Sequence, residues 1–139
     1  MTPTQIKLIR RSFERITSMK SEFASAFYTR LFKIAPEVTP LFTGDMTEQG
    51  NKLTTLLGTV INNLENLENI IPTAQQLGIK HIGYGVTEKH YDYVGEALLW
   101  TLSQSLGRDF TSEHYLAWEE AYGILSSVMI DAARLQRAN

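Results

Sequence analysis

The chain has 139 residues, a formal charge of −2, 43% hydrophobic residues and 20% charged residues. That is one domain's length, with enough apolar material for a core and too much for disorder. Scattered Lys and Arg form no basic patch for nucleic acid, and no apolar run reaches the roughly 18 residues of a membrane span.

The start, Met1-Thr-Pro-Thr-Gln-Ile-Lys, lacks the apolar core of a signal peptide. There is no cysteine. Disulfides, thiolate metal sites and thioether-linked cofactors are therefore excluded. The composition is compatible with a reducing cytoplasm, the expected location.

From Thr4 to about Ser18, Ile6, Ile9, Phe13 and Ile16 recur at helical spacing between basic residues. Pro3 suits the first turn. A second helix is expected from about Ser21, as N-cap, to Ile34. Phe23, Phe27, Leu31 and Ile34 mark one stripe, and Tyr28 and Phe32 an adjacent one. So wide an apolar arc implies two neighbours or a large ligand. Pro36 and Pro40 then allow only a short turn, with Phe42 at its end and Thr43-Gly-Asp45 as the next turn.

A third helix runs from about Met46 to Leu64, with Thr47 as candidate N-cap and Leu53, Leu56, Leu57, Val60 and Leu64 along one side. Gln49 shares the Leu53 face. Gly50 costs about 1 kcal/mol against alanine inside a helix, which makes sense where another backbone comes close. Ala24 is a suitable partner, and a crossing of Ala24 on Gly50 would turn Tyr28 and Gln49 towards one cavity.

A polar stretch, Asn62 to Asn69, leads to a helix from about Pro72-Thr73 to Gly83. Thr87 caps the next, Glu88 to Leu106, with Tyr91, Val94, Leu98, Thr101 and Leu102 on one side. Gly107 closes it. The last runs from about Ser112 to Arg134 with Leu116, Ala117, Ala121, Ile124, Leu125, Val128 and Ala132 in a long stripe. No segment alternates like a strand. The expected fold is a single all-α domain, residues 1–139, of about six long helices plus a short one.

HExxH, GxSxG, GxxxxGK and GxGxxG are all absent. No two of His81, His90 and His114 are three or four apart, so they do not form the usual zinc pattern. What stands out is Leu77-Gly-Ile-Lys-His81-Ile-Gly-Tyr-Gly-Val86. His81 lies on the apolar Leu77 face, with Gly83 and Gly85 ready to end the helix. A lone imidazole there is either a core histidine bonded to a backbone carbonyl or the ligand of a buried metal or cofactor.

Several stretches together decide between these: Phe27-Tyr-Thr-Arg-Leu-Phe32, Pro36-Glu-Val-Thr-Pro-Leu-Phe42, Asn63-Leu-Glu-Asn-Leu67, Ile79-Lys-His81, Gly85-Val86, His90-Tyr91, Val94-Gly95, Ala117-Trp118 and Ala121-Tyr-Gly123. In this order and spacing the chain resembles the globin family from about Ile6 to Ala132. The nearest lineage is single-domain bacterial globins related to the haem domain of flavohaemoglobins. The resemblance implies a globin fold around a haem pocket.

It also implies roles. His81 matches the proximal iron ligand, its other ring nitrogen donating to a carbonyl in the Leu77 turn. Phe42 matches the phenylalanine stacked on the haem. Tyr28 and Gln49 match the distal pair facing bound gas, and Leu53 the apolar wall beyond. Lys52 falls where a basic residue reaches a haem propionate. Val86, Val94 and Leu98 line the pocket. Without cysteine nearby the haem is non-covalent haem b. Tyr91 matches a tyrosine that, with a glutamate, gives the proximal histidine imidazolate character. That glutamate position reads Ala133, and Asp131 falls about 200° away on the helix. Weaker electron push to iron is therefore expected.

The implied function is reversible binding of O2, CO and NO at a five-coordinate ferrous iron, with high O2 affinity from two distal donors. The alternative is an NO dioxygenase served by a reductase in trans. Monomer or homodimer are both open.

Overall fold

Six helices carry most of the chain in the computed structural model, which describes residues 1–138. They are α1 (Pro3–Thr17), α2 (Lys20–Ile34), α3 (Met46–Asn62), α4 (Ile71–Gly83), α5 (Glu88–Leu106) and α6 (Ser112–Ala138). Three-residue-per-turn helix covers Pro36–Leu41, Leu67–Asn69 and Gly107–Asp109. Among the described residues there is no strand.

The local chemistry of the helix starts is varied. Thr2 caps α1 by accepting from the Gln5 amide at 3.1 Å while Gln5 returns a bond to the Thr2 amide. The expected cap at Ser21 is not one. α2 begins a residue earlier, after Met19, and has no side-chain cap. The expected cap at Thr47 is replaced by Asp45, whose carboxylate accepts from the Thr47 amide at 2.8 Å. Thr87 caps α5 as expected, and the His90 ring closes the box by accepting from the Thr87 amide at 3.1 Å.

α4 ends in a Schellman turn. The Gly85 amide donates to Ile82 and the Val86 amide to His81, each at 3.0 Å. Gly85 makes this possible with φ of +86°. Gly83, expected to share the stop, is still inside the last turn. The effect is to place His81 one turn from the helix end and to fold Val86 back over it.

α6 is about 40 Å long and serves as the spine. It packs against α1, α4 and α5, while α2 packs against α3 and α5. Gly78 lets α4 lie on α6 so closely that a side chain there would run into the Met129 backbone. Trp118 donates to Ser12 at 2.9 Å, a fully buried bond that joins α6 to α1. Gly50 seats α3 on α2, since a Cβ at residue 50 would lie 2.8 Å from that of Ala24. The Ala24–Gly50 crossing expected from sequence is thus present. α3 and α4, though consecutive, make almost no contact with each other. The fold holds them on separate partners, α3 on α2 and α4 on α6.

Candidate functional site

His81 stands near the end of α4. Its Nδ1 is 2.6 Å from the Leu77 carbonyl. Since a carbonyl only accepts, Nδ1 carries the proton and Nε2 is the free, basic nitrogen of the neutral ring. Burial lowers the His81 pKa, opposed by the Leu77 bond, so the imidazole stays unprotonated at neutral pH. The other two histidines are committed elsewhere. His90 and His114 each accept a backbone N–H at the start of a helix, from Thr87 and Thr111 at 3.1 and 3.2 Å. In all three Nδ1 is the engaged nitrogen; His81 differs in standing part-buried on an apolar helix face rather than at an exposed helix start. Among the described residues no three His, Cys, Asp or Glu groups converge on a metal site, so a bare ion held by protein ligands alone has no home here.

On the α3 side, Tyr28 is buried at the α2–α3 crossing. Its hydroxyl reaches the Gln49 backbone carbonyl at 3.4 Å, a long bond. The sequence turns Tyr28 and Gln49 towards one cavity, and the hydrogen bond between them runs from the Tyr28 hydroxyl to the Gln49 main chain. Burial pushes the Tyr28 phenol up to about 12, with Gln49 offsetting it in part. The group therefore remains an O–H donor throughout the physiological range. Tyr28, Phe32 and Phe42 form an aromatic cluster, with Phe42 5.4 Å from Tyr28 and 5.3 Å from Phe32, both edge-to-face. Phe42 is fixed at the end of the Pro36–Leu41 turn, its amide bonded to Thr39. A cleft of about 350 Å³ opens from this cluster to the surface between Lys20, Met46 and Asn51.

The remaining expected residues fall as follows. Leu53, Val86 and Val94 are half-buried and packed against the core, and Leu98 is fully buried. Half-buried apolar side chains thus stand on α3, after α4 and on α5. Lys52 is exposed. Tyr91 is buried and stacks on His81, with ring centroids 6.3 Å apart and 28° between planes. Its hydroxyl finds no acceptor among the described residues. Ala133 is buried and Asp131 exposed, so no carboxylate completes a triad with Tyr91 and His81.

Sequence reasoning passed over Tyr122. Its hydroxyl donates to the Tyr91 carbonyl at 2.6 Å, and its ring fills the notch at Gly95, where a Cβ would come within 2.7 Å. In sequence it stands within Ala121-Tyr-Gly123, one of the stretches that carry the resemblance, but with no contact assigned. The partner lies on another helix.

The residues present fit a haem: a part-buried imidazole with a free nitrogen, half-buried apolar side chains, an aromatic cluster and a protonated phenol. Comparison with known proteins agrees. The family model described as Globin matches residues 25–129. A flavohemoprotein of Bacillus subtilis is 31% identical over 128 residues, covering 90% of this chain and 32% of the relative. A flavohemoprotein of Candida albicans is 30% identical over 135 residues, 94% of this chain and 34% of the relative. The chain thus spans about a third of the length of the curated relatives it matches. The solved structure of a bacterial globin from Campylobacter jejuni superposes with a TM-score of 0.86 at 29% identity, covering 99% of this chain and 100% of that one. The chain belongs to the globin family.

Proposed function

We propose that this globin holds haem b in the slot between α3 and α4 and binds O2, CO and NO reversibly, as a cytoplasmic monomer or homodimer. Bound haem would supply the ferrous iron that takes up the gas. The observation that carries the reading is His81, whose Nδ1–H is fixed by Leu77 and whose Nε2 is thereby left to ligate iron. Phe42 stacks on the porphyrin, while Leu53, Val86, Val94 and Leu98 give it apolar walls. Lys52 reaches towards a propionate. With no cysteine in the chain, the group is held without a covalent link.

On the distal side the Tyr28 hydroxyl and the Gln49 amide donate to the gas. Two donors in a low-dielectric pocket slow O2 release and favour storage or scavenging over transport. On the proximal side the carboxylate is missing, and the Tyr91 hydroxyl has nothing to receive its proton. The imidazole keeps its neutral character, so peroxidase-like chemistry is weak. An iron–histidine stretch close to that of globins lacking the carboxylate is expected, and a markedly raised frequency would overturn this part. The purified protein should show a Soret band; its absence would dispose of the haem reading.

A second reading is favoured by the likeness to flavohemoproteins: NO dioxygenation, in which NO, O2 and one electron give nitrate. The electron would come from a separate reductase. Many NO turnovers with an added flavoprotein reductase support it, and a single stoichiometric turnover leaves reversible gas binding.

A further inference from the structure

We infer that this chain recognises a second copy of itself, the start of α6 in one copy seating in a cleft beside α1 of the other. No residue assigned to the haem site takes part, so the inference stands apart from that reading.

The cleft has a volume of about 710 Å³ and lies between the first turns of α1 and the corner that follows α3. Its floor is apolar, with Ile6 and Leu64 buried and Leu67 half-buried. Its α1 wall carries Lys7, Arg10 and Arg11. Arg10 is already engaged by the Glu65 carboxylate and the Ile61 carbonyl. Lys7 and Arg11, one turn apart, are exposed and make no ion pair among the described residues. Glu68 is the other acid on the lining, so positive charge prevails there. The cleft is open to solvent rather than enclosed. Small-molecule sites bury most of their ligand, and this cleft would leave one largely wet. A protruding protein side chain brings its own cover.

The start of α6 is such a protrusion. Leu116 is 58% exposed and Tyr115 beside it 42%. A single exposed leucine is ordinary, but this one is ringed by carboxylates. Glu113 lies three residues before it, and Glu119 and Glu120 three and four after, all neighbours of Leu116 on the helix surface. All three are exposed, and none makes an ion pair among the described residues. An apolar anchor within a charged rim is the layout of a protein interface. The two patches complement each other twice over. Leu116 and the Tyr115 ring match the Ile6, Leu64 and Leu67 floor, and the three glutamates match Lys7 and Arg11. The exposure of Leu116 means that the two halves do not meet within one copy.

Sedimentation velocity of the full chain over a range of concentrations tests this. The parent should self-associate reversibly. High salt shortens the screening length to about 3 Å at 1 M and should weaken the association severalfold. Leu116→Glu removes the anchor, and Lys7→Glu with Arg11→Glu reverses the rim. Each variant should sediment as a monomer at concentrations where the parent pairs. Leu116→Ala, with a severalfold weaker association, serves if Leu116→Glu folds poorly. The decisive sample mixes the two variants, one of them carrying a fluorescent label. The Lys7→Glu, Arg11→Glu copy keeps its anchor and the Leu116→Glu copy keeps its cleft, so the mixture should form labelled–unlabelled pairs. A parent that stays monomeric overturns the inference. So does an association that the variants retain, one that salt strengthens, or a mixture that fails to pair.

Discussion

Tyr28 and His81 are the two side chains whose chemistry differs most from that of ordinary core residues, and each has an experiment that isolates it. The Tyr28 hydroxyl makes only a long bond to a main-chain carbonyl, so its value to the fold is small. Tyr28→Phe should change stability by no more than about 1 kcal/mol. Under the proposed function the same hydroxyl, as donor to bound O2, would be worth about 1–1.5 kcal/mol, and its loss should raise the O2 dissociation rate roughly five- to tenfold. Stopped-flow release of O2 from the ferrous protein checks this, and an unchanged rate removes Tyr28 from its role. The histidines divide in the same way. His81→Ala should abolish the Soret band or leave haem loosely held. His90→Ala removes a capping partner and should lower stability by about 0.5–1 kcal/mol with haem uptake intact. Parallel spectra and melting curves separate the two behaviours.

At the level of whole helices, the α2–α3 crossing connects packing to the distal site. A methyl at residue 50 meets the Ala24 Cβ at 2.8 Å, and neither atom can rotate away. Gly50→Ala should therefore push α2 from α3 and cost about 1–3 kcal/mol. Because Tyr28 lies one turn from Ala24, O2 release should also change. Adding Ala24→Gly restores the space, and a double variant no better than the single one would refute the account. This crossing was legible in the sequence because a glycine in a helix and an alanine one turn before a tyrosine leave a local trace. So was α5, where Thr87 and Gly107 bracket an unbroken apolar stripe. The caps of α2 and α3 were not, because Ser21 and Thr47 have the right side chains one or two positions inside the real boundary, and hydropathy does not resolve such a shift. Leu116 reads as core yet is 58% exposed, since it falls on the outward side of a turn whose Ala117 and Trp118 face the core. His81 was visible through its glycine stop. Tyr122 was not, because its bond to Tyr91 spans 31 positions and no periodicity records an interhelical contact.

Across the molecule, the same site that would hold haem makes the apoprotein sensitive to acid. Burial lowers the His81 pKa below its ordinary 6.5. The unfolded chain therefore takes up this proton first, at about 6.5, while the folded chain resists it. Stability is full above 6.5 and falls as pH drops from there towards the folded pKa. Glu88 adds a second limb lower down. Its carboxylate, bonded by Arg134 at 2.5 and 2.8 Å across α5 and α6, is held below its ordinary 4.5; its contribution fades as pH falls through that lower value. Melting temperatures of the apoprotein should decline between pH 7 and 5, and His81→Gln should flatten that upper limb while leaving the lower one. Under the proposed function haem would bind the folded chain through the neutral imidazole, so it should raise the melting temperature with haem concentration and steepen the same upper limb. An apoprotein melting curve independent of pH over this range would mean that the imidazole is solvated in the free chain, and that the slot between α3 and α4 forms only around the haem.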